Sequence, residues 1–354
     1  MLVQHRFPMK ILLIADDLTG ALDSSAAFAA RGLRVVCALS PADVPDALLH
    51  DPDLLAVTTN SRELDEDQAV TRISQVLDAL DGAPGWQTAL LFKKVDSRLK
   101  GNLAAEVARL APLRPAMLAC PAIPRLGRVV KNGALIGAGV ADPLPVAARL
   151  GLPKAPVPDA GSDAEIDAAM AGARLSDTLL IGAAGLAEAL ARRLVPAAPE
   201  PRPVHLHAPA LFAIGSRDPV TLEQLATLEP LAAPNGQVPE VPAGPLRVIQ
   251  MTPGAGEIAP GAASSRFAEG IARCVCGAPP ATLLACGGES AAAVLSNLGA
   301  GLLLVEGEAL PGVPVSTMLD GVPGLRILTK SGGFGEPDTL ERLAKMLLCL
   351  PPDP

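Results

Sequence analysis

Two α/β domains, each on a largely parallel sheet, are what the sequence predicts, and three observations carry that reading. Short apolar runs such as KILLIA (from Lys10), LLAVT (from Leu54) and AMLAC (from Ala116) alternate with helix-period segments. The chain has 354 residues, more than the ~100 to 200 of an ordinary domain. A proline-rich stretch, VPAAPEPRPVHLHAPA from Val195, separates two such series of elements. The expected domains are residues 1–200 and 206–354.

In the first domain KILLIA reads as a buried strand with Asp16 and Asp17 directly behind it. A helix follows from about Thr19 to Ala30, with Gly32 placed to stop it. LLAVT, a helix from about Asp65 to Leu80, TALLF from Thr88, a helix from about Asn102 to Leu110, and AMLAC continue the alternation. The second domain repeats it with LFAIGS from Leu211, a helix from about Val220 to Leu228, LRVIQM from Leu246 and TLLAC from Thr282. Helices from about Ser290 to Leu298 and from about Pro337 to Leu348 close it. Such folds bind ligands beyond the carboxyl ends of their strands, so polar or glycine-rich clusters there mark the candidate sites.

Composition narrows the partners. Apolar residues make up 49% and charged residues 19%, which fits a folded chain rather than a disordered one. Aromatics are 2%, and 29 basic residues face 37 acidic ones for a net charge of -8, a poor basis for binding nucleic acid. Mean hydropathy is +0.36, yet the longest charge-free run, Ser290 to Val305, has 16 residues. A spanning helix needs about 20, so no membrane partner is expected. The start of the chain lacks the pattern of a signal peptide, which makes the cytoplasm the default location. The cysteines, Cys37, Cys120, Cys274, Cys276, Cys286 and Cys349, contain no CxxC pair and read as reduced, mostly buried thiols. Cys274 and Cys276 suggest core or strand packing. His205 and His207 would share one face of a strand and form only a weak metal signal.

Three groups of residues could carry chemistry. Asp16, Asp17 and Thr19 follow the first strand; Asp17 or Thr19 could simply cap a helix, but capping does not explain Asp16. FKKVDSRLKGN, Phe92 to Asn102, gathers Lys93, Lys94 and Lys100 around Asp96 and Arg98 in a chain with 8 lysines, and it reads either as an anion site or as a solvated basic loop. Glycine clusters follow three strands of the second domain: Gly215 with Ser216, Gly287 to Ser290, and Ser331 to Gly335. Small residues let backbone N–H groups approach phosphate oxygens, which three turns of the same kind in one domain favour. No GxxxxGK[ST] segment occurs. Ser97 to Lys100 matches the SxxK of penicillin-binding enzymes and Lys330 to Gly332 resembles KTG, but their third signature is absent.

Together these segments resemble the four-carbon acid sugar kinase family. IADDLTGA (Ile14 to Ala21), KKVDSRLKGN (Lys93 to Asn102), PAIPRLGRVVKNGAL (from Pro121), GAAGLAEAL (Gly182 to Leu190), GGES (Gly287 to Ser290) and TKSGGFG (from Thr329) occur in the family's order. The resemblance implies an N-terminal sugar-acid domain and a C-terminal nucleotide domain facing each other across a cleft, with ATP and Mg²⁺ as cofactors. It further implies phosphorylation of a hydroxyl on a small acid such as threonate, erythronate or a 2-oxotetronate. Asp16, Asp17 and Asp96 are then the candidate catalytic carboxylates, and the residues do not choose among them. Lys93, Lys94, Ser97, Arg98 and Asn102 are expected at the acid, and Ser216, Gly287, Gly288, Glu289, Ser290, Gly332 and Gly333 at the nucleotide. Val129 and Val130 stand where the family has two threonines, and the segment between Asp142 and Asp159 is short. These departures keep a noncatalytic small-anion or nucleotide-binding module as the alternative. A homo-oligomer stays open.

Overall fold

Ile11–Ala15 is buried at every position, as a strand covered on both faces must be, and forms β1. A computed structural model of the chain describes residues 9–152, 155–197, 204–256, 258–259 and 261–348. The chain divides into two compact units, with the division between residues 201 and 202. Part of the proline-rich stretch, and Cys349, lie outside the described residues.

In the first unit β1 is followed by α1 (Leu18–Ala29), β2 (Val35–Ala38), α2 (Val44–Leu48), β3 (Leu54–Thr58), α3 (Glu66–Ala79), β4 (Leu90–Lys94), α4 (Leu103–Leu110) and β5 (Ala116–Cys120). Three short strands, β6 (Arg128–Lys131), β7 (Ala134–Gly137) and β8 (Leu144–Pro145), come next. The unit ends with α5 (Val146–Arg149), α6 (Asp163–Ala171), β9 (Thr178–Gly182) and α7 (Ala184–Leu194). The main sheet runs β2-β3-β1-β4-β9-β5, with every pair parallel. Strands β6, β7 and β8 form a separate antiparallel sheet. Strand β1 therefore lies between β3 and β4, and the carboxyl ends of all three are neighbours.

The second unit contains β10 (Ala210–Ile214), α8 (Pro219–Gln224), β11 (Leu231–Pro234), β12 (Leu246–Thr252), α9 (Ala262–Gly277), β13 (Thr282–Cys286) and α10 (Gly288–Asn297). It closes with β14 (Leu302–Leu310), β15 (Val313–Met318), β16 (Arg326–Lys330) and α11 (Thr339–Leu348). Within this unit the order is β11-β12-β10-β13-β16-β15-β14. The strands from β11 to β16 in that order pair in parallel, while β15 runs antiparallel to both β16 and β14. Phe212, Ile214, Leu284 and Leu328 pack in the core with Leu340, Leu343 and Leu347 of α11.

Both units are α/β and mostly parallel, as predicted. The antiparallel β14–β15 hairpin was not legible, because two register shifts break the alternation of its longer strand. Helix α8 stops at Gln224 rather than near Leu228. Cys274 and Cys276 lie on α9, not on a strand, and point in different directions: the first is half-buried and the second exposed. His205 and His207 lie outside any strand; His207 is held by the Thr282 side chain, which receives a bond from its N–H and donates one to its carbonyl, in place of a ladder.

The hairpin is clasped by Asp320, whose carboxylate accepts hydrogen bonds from the backbone N–H groups of Gly301 and Leu302 at 3.0 Å. Asp320→Ala removes both acceptors and should destabilise the chain by about 2 kcal/mol, the typical cost of stranding partly buried donors. Urea unfolding of Asp320→Ala beside Asp320→Asn, which retains one carbonyl oxygen, checks this.

Candidate functional site

The carboxyl ends of β1 and β4 deliver three aspartates to one guanidinium, carried on the segment beyond β3. Arg62, four residues beyond β3, donates from Nε to Asp16 Oδ2 at 2.7 Å and from Nη2 to Asp16 Oδ1 at 3.0 Å. Its Nη2 also donates to Asp17 Oδ1 at 2.8 Å, and Nη1 stands 3.6 Å from Asp96 Oδ1. Asp16 is completely buried. Burial alone would raise its pKa, but Arg62, then Lys93 and Lys94, hold it below the usual carboxylate range. Burial opposes the Arg62 charge, and Asp16 and Asp17 outweigh that effect and raise its pKa.

The carboxylates differ in how far they are committed. Asp16 spends both oxygens on Arg62. Asp17 also caps α1, accepting from Gly20 N at 3.0 Å and from the Thr19 hydroxyl at 2.7 Å, as its capping reading expects. Asp96 Oδ2 accepts from the backbone of Arg98 at 2.8 Å and of Lys100 at 3.3 Å, leaving Oδ1 with only the longer contact to Arg62. The loop turns through Gly101 at φ 87°, where an added Cβ would lie 3.1 Å from Asp16 Oδ2. Among the described residues no three His, Cys, Asp or Glu side chains are grouped to hold a metal ion. Where the aspartates converge, Arg62 already supplies the positive charge.

Lys93 and Lys94, adjacent on β4, project to opposite faces of the sheet. Lys93 was expected at the acid, but its ammonium is fully buried 2.7 Å from Glu106 Oε2 of α4. The pair attracts as ions and is off the line of a good hydrogen bond, while Glu106 Oε1 accepts from the Ser61 hydroxyl. Ser61 shares a 2.7 Å bond with Thr59. Asn102 is likewise occupied, its Nδ2 donating to the carbonyls of Ser61 and Leu64 and clasping the turn that carries Arg62. Lys94 faces α1: its Nζ donates to Val95 O at 2.8 Å, and a Cβ on Gly20 would lie 2.9 Å from it and 2.5 Å from Asp17 Oδ1.

Ser97 Oγ accepts from Arg128 Nη1 at 2.7 Å. A Cβ on Gly139 would stand 3.5 Å from Arg128 Nη2 and 3.8 Å from Arg98 Cδ, so the two arginines converge on one glycine. Burial, then the nearby Arg98 charge, lowers the Arg128 pKa. Two guanidiniums forced together make a favourable place for a carboxylate or phosphoryl oxygen. Lys100 is exposed.

In the second unit the glycine turns after β10, β13 and β16 are packed so closely that side chains would not fit. A Cβ on Gly215 would lie 2.0 Å from Ser290 Oγ, and one on Gly332 2.2 Å from Ser216 Oγ. A Cβ on Gly287, at φ 101°, would lie 3.1 Å from Ser216 N, and one on Gly333 3.1 Å from Asp218 Oδ2. Thus Ser216, Gly287, Ser290, Gly332 and Gly333 form one cluster. Gly288 opens α10 beside it, and Glu289 is exposed. The turn after β16 is held from beneath by Lys330, which donates to the carbonyls of Ser331 at 3.1 Å and Gly332 at 3.3 Å. Thr221 donates to Gly332 O at 2.6 Å, and Gln224 to Phe334 O and Glu336 O. Burial lowers the Lys330 pKa, with Cys286 and Asp218 opposing.

Sequence reasoning missed Arg62, Glu106, Arg128 and Lys330. NSREL after LLAVT is a polar cluster at a strand exit and could have flagged Arg62, and TKSGGFG contains Lys330. Nothing local marks Glu106.

The buried Lys93–Glu106 pair yields a stability prediction. Glu106→Leu strands the ammonium and should cost about 3 to 5 kcal/mol, whereas Lys93→Met with Glu106→Leu should recover most of the loss. Equilibrium unfolding of the single and double variants checks this, with equal losses for both as the contrary result.

A model of a sugar-binding N-terminal domain matches residues 11–150, and a model of a nucleotide-binding C-terminal domain matches residues 239–340. The chain is 31% identical to a D-threonate kinase of Bordetella bronchiseptica over 95% of this chain and 96% of that one. It is 29% identical to a D-threonate kinase of Cupriavidus necator over 92% and 95%. A solved Haemophilus influenzae structure shares the fold with a TM-score of 0.68 at 19% identity, covering 95% of this chain and 100% of the other. No helix among the described residues is long and apolar enough to cross a membrane. With both domain models matched in order and similarity to these kinases running nearly end to end, the chain belongs to the four-carbon acid sugar kinase family.

Proposed function

We propose that the chain is an ATP-dependent kinase that phosphorylates a hydroxyl of a four-carbon sugar acid of the threonate or erythronate type. The first unit takes the acid and the second the nucleotide. The observation that carries this reading is the cluster at the ends of β1, β3 and β4, where Asp16, Asp17 and Asp96 surround Arg62 close to the guanidiniums of Arg98 and Arg128. Such transfer depends on positioning and charge neutralisation more than on covalent catalysis.

Arg98 and Arg128 bind the acid's carboxylate, and Ser97 holds Arg128 in place. Asp96 accepts the hydroxyl proton through Oδ1, the carboxylate oxygen least committed to the protein. Asp16 anchors Arg62, and Lys94 adds positive charge near Asp17. Lys93 acts through Glu106 to fix β4 against α4. Val130 lies on the same face of β6 as Arg128 and offers no hydroxyl, so charge rather than side-chain hydroxyls there selects the ligand.

Backbone N–H groups of the three glycine turns line the nucleotide phosphates, with Ser216 and Ser290 beside them and Lys330 fixing the last turn. ATP supplies the phosphoryl group. Mg²⁺ brought with the nucleotide would neutralise phosphate charge, and among the described residues no group of three His, Cys, Asp or Glu side chains would hold it independently.

Release of ADP on adding ATP and Mg²⁺ to threonate, erythronate and 2-oxotetronates should single out one acid. Binding of ATP without turnover on any of them would leave the noncatalytic module in its place. With the preferred acid, Asp96→Asn should lower kcat by about 10² to 10⁴ with little change in KM for the acid. Arg98→Gln should chiefly raise that KM, by about tenfold or more, the loss of a charge-assisted contact. Full turnover by Asp96→Asn would remove Asp96 as the base.

A further inference from the structure

The turns after β10 and β16 meet although β13 lies between those strands in the sheet. Ser216 makes the crossing: a Cβ on Gly287 would lie 3.3 Å from Ser216 Cβ, and one on Gly332 3.2 Å from the same atom. Asp218 stands just beyond it. A Cβ on Gly332 would be 3.1 Å from Asp218 Cβ, and one on Gly333 3.1 Å from Asp218 Oδ2, so the carboxylate lies directly against the last glycine turn. Its position is fixed by two bonds. The Asp218 N–H donates to Ser216 Oγ at 3.2 Å, and Oδ1 accepts from Val220 N at 3.0 Å as the cap of α8.

Capping occupies one oxygen and leaves the other. Among the described residues Oδ2 has no hydrogen bond and no ion pair. Lys330 senses the Asp218 charge, but its ammonium bonds the carbonyls of Ser331 and Gly332 and the Thr221 hydroxyl instead. Arg217 and Glu289, the other charged side chains of the cluster, are exposed, whereas Asp218 is half-buried.

A carboxylate held in this place works against a bare phosphate. Like charges at close range repel, and more strongly where water is partly excluded. A divalent cation between the two anions turns repulsion into attraction. Mg²⁺ characteristically takes one or two carboxylates together with nucleotide phosphates and waters, and needs no cage of protein ligands. One uncommitted carboxylate oxygen beside the glycine turns is the protein's share of that donor set.

We propose that Asp218 Oδ2 holds the divalent cation that accompanies the nucleotide, so that the second unit selects the metal–nucleotide complex and rejects the free nucleotide. This rests on the assignment of the glycine turns to nucleotide phosphates. Asp218 thereby has two tasks: Oδ1 fixes the turn through α8, and Oδ2 supplies the charge that only a metal-bearing ligand can satisfy.

Calorimetric titration of the full chain with ADP, in Mg²⁺ and separately in EDTA, tests this without phosphotransfer. The wild-type chain should bind ADP about tenfold or more tightly in Mg²⁺ than in EDTA. Asp218→Asn keeps a capping oxygen and loses the charge, so its fold should persist. It should bring that ratio close to one, weakening ADP in Mg²⁺ and tightening it in EDTA. Glu269→Gln, which removes an exposed charge from α9, should leave the ratio unchanged. If Asp218→Asn binds ADP with the wild-type ratio, or weakens it equally in both solutions, Asp218 is only a cap and the proposal fails while the nucleotide assignment stands. If the wild-type chain binds ADP in neither solution, the nucleotide assignment fails and takes the proposal with it.

Discussion

One guanidinium organises the first unit's site. Three carboxylates at the mouths of neighbouring strands would repel one another, and Asp16, which has no access to water, also carries the cost of burial. Arg62 reverses this by chelating Asp16 with two nitrogens and reaching Asp17 and Asp96 with what remains. Much of the nearby chain serves to deliver that side chain. Asn102 clasps the turn bearing it, Ser61 N donates to Asp16 O, and Gly101 leaves the room its approach requires.

Strand alternation divides the lysine cluster into two unrelated tasks. A run of basic residues in sequence suggests a single basic surface, but on a strand the side chains of neighbours point to opposite faces. Lys93 is taken into the layer between the sheet and α4, where Glu106 neutralises it, while Lys94 emerges beside α1 near Asp17. The run of lysines in sequence therefore does not become one basic surface in the fold. The guanidinium that meets Arg98, that of Arg128, comes from the small antiparallel sheet, about 30 residues away along the chain.

The legible parts of the molecule are those determined locally. LLAVT, AMLAC and TLLAC are strands at the residues their apolar runs define, because a buried parallel strand needs nothing more specific than continuous hydrophobicity. The glycine turns were legible for a related reason: close backbone approach excludes a Cβ, and glycine states that requirement directly. What could not be read is the partner choice of charged residues. Nothing local marks Glu106 until α4 turns it inward, and Lys330 is only one residue of TKSGGFG until its ammonium bonds the carbonyls beneath its own turn. In both cases tertiary packing, which leaves no periodic trace, decides the role.

The chain's net charge of -8 conceals the local balance. Around the first site Lys93 and Glu106 cancel, leaving Asp16, Asp17 and Asp96 against Arg62, Lys94, Arg98 and Arg128, one positive charge in excess. Burial keeps these charges from being screened as freely as surface charges are, so a small excess carries a field well beyond its number. The carboxylates are nearest Arg62, whereas Arg98 and Arg128 meet on the side of the small sheet, so the field is polarised as well as positive. If the ligand is the proposed sugar acid, entry with its carboxylate toward Arg98 and Arg128 would set its orientation before any hydrogen bond forms, with its hydroxyl-bearing end toward the aspartates.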